Sequence, residues 1–209
     1  ALKDYEFILQ ITASIEDDMN SQYMEEYNFN VNVSLNQRHF PFDAGEQIFS
    51  TPLVIDLDQD GSEFEIIFSD YWGKIHVINS NGEERSGWPI DVGDQIWASP
   101  AVEDIDLDGE LEIVISSKNN HLYIFDSQGN EELSYNAGQF LMGTPALGNL
   151  DDDDELEIVF AGFSPSGKVF AINPNGSSVT GFPVQVNEWM LKGVSLEDFD
   201  IPRDAFSRA

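Results

Sequence analysis

One acidic loop pattern occurs three times along this chain, and each copy leads directly into an apolar segment. The copies are residues 56–68 (DLDQDGSEFEIIF), 104–115 (DIDLDGELEIVI) and 149–160 (NLDDDDELEIVF). A short apolar run that follows a turn sequence is typical of a β-strand. Because a single strand of this kind cannot bury both of its faces alone, the three copies indicate that the chain folds from repeated β units.

The repeat has a regular length, which is marked by a Ser-Pro or Thr-Pro dipeptide ahead of the acidic loops. Pro52 and Pro100 are 48 residues apart, Pro145 follows after 45 more, and Val194 takes the proline position 49 residues later. Periods of about 40–50 residues with several strands per unit are typical of β-propellers and similar arrays.

Each repeat contains four strand signals, and almost no helical period is present. In the first repeat the signals lie at 52–57, 64–69 and 74–79, and in a last segment that ends at Trp88. The predicted fold class is therefore all-β, with propeller blades of four antiparallel strands. A closed ring needs about four to eight blades, so three whole and two partial units predict a partial propeller. The predicted units are residues 51–98, 99–143, 144–193 and a partial unit at 194–209, and residues 40–45 resemble the end of each later repeat, which predicts the tail of one earlier unit.

The first 37 residues lack this repeat. Residues 5–11 and 27–35 have the composition of strands, and the acidic stretch 16–22 between them is predicted to be an exposed loop. Two strands alone are marginally stable in water. We therefore interpret residues 1–37 as the end of a preceding β-sandwich-like domain or as linker strands, and residues 38–209 as the repeat region. The alternative is an outer strand pair that joins the next sheet.

The spacing of the acidic residues suits calcium. This cation takes six to eight oxygens at about 2.3–2.6 Å, and carboxylates at alternate positions of a tight loop can converge on one point. Glycine at the sixth position allows the sharp turn, and a later acid closes the shell. The twelfth position, which is Glu in a helix-flanked calcium loop, is Ile67, Ile115 or Phe160 here. We therefore expect a loop within a β-hairpin, closed near its ninth position. The alternative is a solvated turn, since Asp-Gly is a common hairpin turn.

Two stretches depart from the loop pattern. The third loop has Asn149 in place of the first Asp and Asp154 in place of Gly. We expect Asp154 to adopt a left-handed backbone at some energetic cost, so that this site is the weakest or the most altered. A fourth loop would begin at residues 198–200 (DFD), but Pro202 takes the next ligand position. We interpret that break as a truncation of the repeat or as a sequence that has left its true reading frame.

The charge of the chain excludes two classes of partner. There are 39 acidic and 9 basic residues, with a formal net charge of −30. Such a surface repels nucleic acid and anionic membranes. No apolar run is long enough to span a bilayer, so we expect no membrane insertion. The absence of Cys excludes disulfides and thiol chemistry but leaves the compartment open.

A few residues outside the loops have possible chemical roles. His76 occupies a strand position that is aromatic in the other repeats, which predicts a residue on a β-sheet face. Trp88 belongs to a repeated Gly-aromatic-Pro motif and Trp97 to a repeated apolar position, so both are predicted to pack in the core. Trp72 and Trp189 fall outside the repeated positions, and we expect them at an exposed surface where rings could stack on sugars.

The order of the motifs resembles a known repeat. The order is Ser/Thr-Pro, Asp-x-Asp-x-Asp-Gly, Glu-Ile-Val, Gly-Lys-Val-x-x-Ile-Asn and Gly-Trp-Pro. Over about residues 38–200 it resembles the FG-GAP/VCBS-type repeat of bacterial extracellular proteins, which is similar to the repeats of integrin alpha-subunit propellers. The resemblance implies up to three structural calcium ions, each in the loop between the first two strands of a blade. The candidate metal ligands are Asp56, Asp58, Asp60, Glu65, Asp104, Asp106, Asp108, Glu110, Glu112, Asn149, Asp151, Asp153, Glu155 and Glu157.

The resemblance also implies a function. It indicates a non-enzymatic module of a secreted or cell-surface protein that serves adhesion or binds a protein or polysaccharide partner, as part of a larger propeller or multidomain chain. The alternative is part of a calcium-dependent polysaccharide-degrading enzyme, because the repeats also resemble those of lyases built on calcium propellers. Only nine Lys and Arg residues are present, and they are scattered, which disfavours a lyase. No catalytic residue and no organic cofactor is predicted.

Overall fold

The computed structural model describes residues 5–16, 22–33, 39–61, 63–151 and 153–196. These residues form strands and no helix, so nothing in the described part is a helix that could cross a membrane. The chain divides into two compact units, Ala1–Phe42 and Asp43–Ala209. The strands are β1 (Tyr5–Glu16), β2 (Gln22–Val33), β3 (Leu53–Ile55), β4 (Glu65–Ser69), β5 (Lys74–Ile78), β6 (Ile90–Asp91), β7 (Ala101–Glu103), β8 (Glu112–Ser116), β9 (His121–Phe125), β10 (Glu131–Asn136), β11 (Phe140–Leu141), β12 (Ala146–Gly148), β13 (Glu157–Phe163), β14 (Lys168–Ile172) and β15 (Val184–Gln185).

The first unit contains an antiparallel pair of long strands. β1 and β2 pair from Tyr5 opposite Val33 to Glu16 opposite Gln22. Both strands extend further into the acidic stretch 16–22 than the sequence pattern predicted. Main-chain pairing can continue through polar residues once a ladder has formed, because it uses only N–H and C=O groups. The remainder of that predicted loop, residues 17–21, lies outside the described residues, and the β-sandwich assignment stays a prediction.

The second unit contains three antiparallel sheets, one for each repeat. The strand order is β3-β4-β5-β6 in the first sheet and β7-β8-β9-β10 in the second. In the third sheet, β12 pairs with the beginning of β13, β14 and β15 follow, and β11 pairs with the end of β13. Each repeat therefore supplies a four-stranded antiparallel blade. This confirms the predicted all-β fold of partial propeller blades.

The blades pack against each other through two apolar clusters. The cluster between the first two blades includes Ile67 and Ile115, and the cluster between the second and third includes Leu122 and Phe160. All four side chains are at most 1% exposed. Every residue of β8 is buried, which explains why its three central residues, 113–115, are all apolar and do not alternate with polar ones. Burial of one such side chain contributes about 1.5–3 kcal/mol.

The fourth strand of the first blade lies further along the chain than predicted. The predicted segment ended at Trp88, whereas β6 covers Ile90–Asp91. The Trp88 side chain is 6% exposed, and its ring packs edge-on against Phe125 of the next blade at 6.1 Å between centroids. Glu84 bridges Ile78 and the Arg85 N–H donates to the Val77 carbonyl, but Trp88 is inserted between two blades and Pro89 has no N–H to donate, so this pairing is interrupted and β6 begins only after the dipeptide. The prediction that Trp88 is a packing residue is confirmed.

A ladder of hydroxyl groups connects successive repeats and gives the Ser/Thr-Pro motif a structural role. The Thr51 N–H donates to Oγ of Ser99 at 2.8 Å, and the Ser99 N–H donates to Oγ1 of Thr144 at 3.0 Å. Each hydroxyl therefore accepts from the equivalent residue of the preceding repeat. Gly193 occupies the position that corresponds to Thr144 in the following repeat. A Cβ added to Gly193 would lie 2.7 Å from the Thr144 carbonyl oxygen. The ladder is replaced there by close contact between main chains.

Candidate metal centres

The first acidic loop connects β3 to β4 and wraps around the side chain of Asp56. Oδ1 of Asp56 accepts the Asp60 N–H at 3.1 Å, and Oδ2 accepts the Gly61 N–H at 2.9 Å. Gln59 and Gly61 have positive φ angles of 56° and 73°, which allow the chain to turn this tightly. As a result, carboxylate oxygens of Asp56, Asp58 and Asp60 lie within 4.8 Å of one another.

The second loop, between β7 and β8, repeats this geometry. Oδ2 of Asp104 accepts the Gly109 N–H at 3.1 Å, and Leu107 has a positive φ of 62°. Oxygens of Asp104, Asp106 and Asp108 again lie within 4.8 Å. Oδ1 of Asp104 is buried and has no hydrogen-bond partner. A buried, unpaired carboxylate oxygen is costly unless a cation or donor compensates it.

The third loop, between β12 and β13, is built differently. The Asn149 side-chain amide donates to the Asp153 carbonyl oxygen. The group of oxygens within 4.8 Å consists of Asp151, Asp153 and Glu157. Asp154 does not have a positive φ, so the expectation of a left-handed backbone there was wrong. The loop avoids that strain because the Asn149 amide bond replaces the glycine N–H contact to the first loop residue.

A buried glutamate begins the second strand of every blade. Glu65, Glu112 and Glu157 are 3%, 2% and 0% exposed. Oε2 of each accepts the main-chain N–H of the second loop residue, at 2.9 Å in the first and second loops. Oε1 of Glu157 is buried without a hydrogen-bond partner. These glutamates therefore join each loop to the strand that follows it. The glutamate of the third loop, Glu157, also has one oxygen that makes no hydrogen bond.

The electrostatics of the loops favour a cation. Burial raises the pKa of the Glu112 carboxyl from 4.5 to about 7, against the lowering effect of the Ile105 N–H. Repulsion from Asp106, Glu132 and Asp108 is a smaller cause of the same rise in pKa. Burial is also the main cause of raised pKa values at Glu65 and Glu157. A bound divalent cation would offset this repulsion and the cost of burying a carboxylate.

The predicted ligands do not all converge. Among the described residues, Glu65 and Glu112 are outside the groups of oxygens within 4.8 Å, whereas Glu157 is inside its group, although one oxygen of each of the three accepts a main-chain N–H of its loop. Glu110 and Glu155 hold the loops through their N–H groups, which donate to Oδ1 of Asp108 and Asp153 at 2.8 and 3.1 Å. The assignment of these residues as metal ligands stays a prediction.

Sequence reasoning missed one residue of the first site. Nη2 of Arg85 lies 2.9 Å from Oδ2 of Asp58, and Nη1 lies 3.5 Å from Oε1 of Glu65. Arg85 is outside the loop motif, in the segment that leads to the fourth strand. Alignment of the repeats on their Asn-Gly or Gln-Gly turns would have revealed it, since Glu132 takes the same position in the second repeat.

The donor set fits a hard cation. Every candidate side chain offers oxygen, and Glu157 and Asp104 each have a buried oxygen that lacks a partner. Calcium and magnesium both prefer oxygen ligands, and calcium tolerates the irregular geometry of a loop better. The carboxylates of each loop would hold the ion, which would neutralise them and fasten the loop between two strands.

An aromatic surface lies at the other end of the blades. We define it by Phe49, Tyr71, Trp72 and Trp97, whose rings are in mutual contact. The centroid distances are 5.2 Å from Phe49 to Tyr71, 5.9 Å from Phe49 to Trp97, and 5.0 Å from Tyr71 to Trp72. Tyr71 and Trp72 follow the end of β4, whereas the acidic loop precedes its start. A strand of five residues separates the two features by about 15 Å.

The aromatic surface continues into a cavity of about 400 Å³. Lys118 lies on its wall, with Nζ 5.8 Å from the centroid of the Phe140 ring. No carboxylate is among the described residues that line this cavity, although the chain has 39 acidic residues. The lining residues are Trp97, Lys118, Phe140, Met142, Phe163 and Leu191.

The exposure of the tryptophans was predicted correctly for the two outside the repeated positions and wrongly for Trp97, which occupies a repeated position. Trp72 and Trp189 are both 56% exposed, which confirms their place at the surface. Trp97 is 38% exposed, so the prediction that it belongs to the core was wrong. Its position precedes the first strand of the blade, where the chain lies at the edge of the sheet. His76 is buried on the sheet, with Nδ1 2.5 Å from Oε1 of Glu84, as expected for a residue on a β-sheet face.

The chain was compared with known proteins. No family model matches the sequence, and no curated protein matches it. Among solved structures, it is similar to BBS1N in a crystal structure with ARL6DN soaked with lead, at 16% identity and a TM-score of 0.45. The similarity covers 86% of this chain and 50% of that one. For BBS1N with ARL6DN soaked with mercury, the identity is 13% and the TM-score 0.37, over 88% and 67% of the two chains. This chain therefore spans about half the length of the first structure, and its own four-stranded sheets define its fold.

Proposed function

We propose that this chain is a calcium-binding, non-enzymatic propeller module of a secreted or cell-surface protein, built from FG-GAP/VCBS-type repeats. The observation that carries the proposal is the convergence of carboxylate oxygens within 4.8 Å in all three loops. The unpaired, buried Oε1 of Glu157 supports it independently, because that oxygen needs a compensating charge.

Calcium would have a structural role in this proposal. Each loop holds at least three carboxylates and connects the first two strands of a blade, so an ion there would replace repulsion with attraction. Calcium sites in extracellular modules typically have Kd values of about 10⁻⁴–10⁻³ M. Such sites are filled outside cells and empty at cytosolic calcium, so the proposed role requires the proposed secreted or cell-surface location.

Partner binding would use the aromatic surface. Phe49, Trp72 and Trp97 are 58%, 56% and 38% exposed, and exposed aromatic patches mark interaction sites more often than isolated apolar residues do. Lys118 supplies a positive charge beside them. The proposed role is adhesion, through a protein or a polysaccharide, because aromatic faces suit both apolar side chains and sugar rings.

Thermal unfolding tests the metal sites. The midpoint should rise by several degrees in millimolar calcium relative to chelator, and magnesium should have a smaller effect. Asp106→Ala should reduce the rise. Glu46→Ala, which removes one exposed acid outside the three loops, is the matched control and should leave the rise unchanged. Equal midpoints in calcium and chelator would refute calcium binding.

A glycan array and pull-down with the calcium-loaded chain test the partner proposal. Binding that Trp97→Ala abolishes, and that Glu46→Ala preserves, would place the contact on the aromatic surface and identify the partner class. Binding that survives both Trp97→Ala and Trp72→Ala would exclude this surface.

A further inference from the structure

The three blades differ in the charge that they present beside their acidic loops. In each blade, the end of the third strand pairs with a residue just after the following turn. The next residue along the chain is Arg85, Glu132 or Val179, and in the second blade the register shifts between Glu131 and Leu133, so that Glu132 lies at a β-bulge. Its main-chain N–H donates to the third strand in the first and third blades, at 2.8 and 3.0 Å. The residue at this place in the sequence is thus positively charged in the first blade, negatively charged in the second and uncharged in the third.

In the first blade, the arginine already supplies a cation to the loop. The Arg85 side chain is 18% exposed, and its guanidinium contacts Asp58 at 2.9 Å and Glu65 at 3.5 Å. Asp58 is at the third loop position and Glu65 is the buried acid of β4, so Arg85 joins the exposed and buried parts of the loop. A charge-assisted contact of this kind satisfies carboxylates that would otherwise repel each other.

In the second blade, the equivalent residue adds to the negative charge. Glu132 and Asp106 line the same cavity of about 330 Å³. The second loop therefore has one more carboxylate beside it than its own acids supply. Among the described residues, no Lys or Arg nitrogen lies within 4.0 Å of its carboxylates. Its Asp104 also keeps a buried oxygen without a hydrogen-bond partner. A divalent cation has more negative charge to compensate here than in the first loop.

In the third blade, the equivalent residue is neutral. Val179 is 7% exposed and packs with Val159 and Ala171. Glu157 is fully buried and keeps an unpaired Oε1, and one of its carboxylate oxygens lies within 4.8 Å of oxygens of Asp151 and Asp153. Nothing in the described part of the chain compensates that oxygen, so the third loop depends on a cation from solution.

We propose that Arg85 is a built-in counter-ion that satisfies the first loop without a metal, so that divalent cations fill the second and third loops first and the first loop last. This inference rests on the proposed function, in which the loops bind calcium. A cation that enters the first loop must work against the guanidinium charge a few ångströms away. In water, repulsion between charges of +2 and +1 at about 5 Å lowers the affinity about tenfold.

Equilibrium dialysis with Arg85→Met tests this proposal, since methionine keeps most of the side-chain length without the charge. At about 1 mM free calcium, tenfold above the low end of Kd for extracellular modules, the second and third loops are nearly full, so the native chain should hold about two ions and Arg85→Met about three. Lys74→Met is the matched control, because it removes one positive charge from the same blade at the end of β5 furthest from the loop. It should hold two ions.

Thermal unfolding supplies a second readout. In chelator, Arg85→Met should unfold at a lower temperature than the native chain and than Lys74→Met. Its rise in midpoint on calcium addition should be larger than that of either. If Arg85→Met folds only with calcium, the arginine and the ion substitute for each other, as proposed.

Three outcomes would overturn the counter-ion role. They are three ions in the native chain, an unchanged count in Arg85→Met, and an unchanged midpoint of Arg85→Met in chelator. If Arg85→Met does not fold even with calcium, Glu132→Arg decides, since an arginine transplanted to the second blade should reduce the count from two to one. Failure of the native chain to bind any calcium would instead refute the proposed function.

Discussion

Replacement of Glu112 by glutamine should stabilise the metal-free protein and destabilise the calcium-bound one. Glu112 is 2% exposed, and one of its oxygens accepts the Ile105 N–H at 2.9 Å. Glutamine can keep that accepted bond through its amide oxygen while removing the charge. Without a metal, the buried charge is an energetic cost, because burial and the acids of the loop oppose ionisation. With calcium, the same charge contributes to binding.

The magnitude follows from the pKa of Glu112. Its rise from 4.5 to about 7 corresponds to about 3 kcal/mol, at 1.36 kcal/mol for each pH unit. Asp106 and Asp108 are exposed, so water and salt screen part of this, and we expect about 1–2 kcal/mol. Because the folded pKa lies above the unfolded one, the cost is absent below about pH 4.5, grows as the pH rises towards 7, and is complete above pH 7.

Urea unfolding in chelator, at about pH 4.5 and about pH 8, measures this effect. The advantage of Glu112→Gln should be near zero at the lower pH and about 1–2 kcal/mol at the higher. Glu103→Gln is the matched control, since Glu103 lies directly across from Glu112 on β7 and is exposed. A Glu112→Gln variant that is equally unstable at both pH values would refute the argument, and so would an equal gain from Glu103→Gln.

The remaining predictions concern packing and the surface. Trp88→Ala should cost about 3–5 kcal/mol in urea unfolding, because it removes a ring that is 6% exposed and packs on Phe125 of the next blade. Ser99→Ala should cost about 0.5–1.5 kcal/mol, because the Thr51 N–H loses its acceptor, and an unchanged stability would mean that water replaces the hydroxyl. Trp72→Ala should change stability by less than about 0.5 kcal/mol, since its side chain is 56% exposed, and a larger loss would show that the ring has a packing role.

Much of the fold could be predicted from the sequence because the repeat makes each signal visible three times. Central strands such as β8 have a continuous apolar run, here residues 113–115, and turns precede and follow them. The fourth strand was misplaced because Trp88 looks like the end of a strand, whereas its side chain is inserted between two blades. An inter-blade contact has no local pattern, since it depends on residues about 40 positions away, such as Phe125.

The candidate site was only partly predictable, for a similar reason. The Asp-x-Asp-x-Asp spacing defines a loop whose carboxylates converge, and they do converge in the first two loops. Spacing alone could not show that Glu65 and Glu112 bond to the main chain, because that depends on how each loop folds back on its strand. It also could not show Arg85, which reaches Asp58 across the sheet from a segment 27 residues away.

The hydroxyl ladder sets a rule for engineering arrays from these repeats. Thr51 donates to Ser99 and Ser99 donates to Thr144, so the ladder has a direction and each added repeat must present a Ser or Thr hydroxyl to the one before it. Gly193 cannot serve as such a link, because a side chain there would collide with the Thr144 carbonyl. A designed tandem array should therefore be lengthened by inserting copies between the first and third repeats, with the glycine-bearing junction kept as its terminal cap.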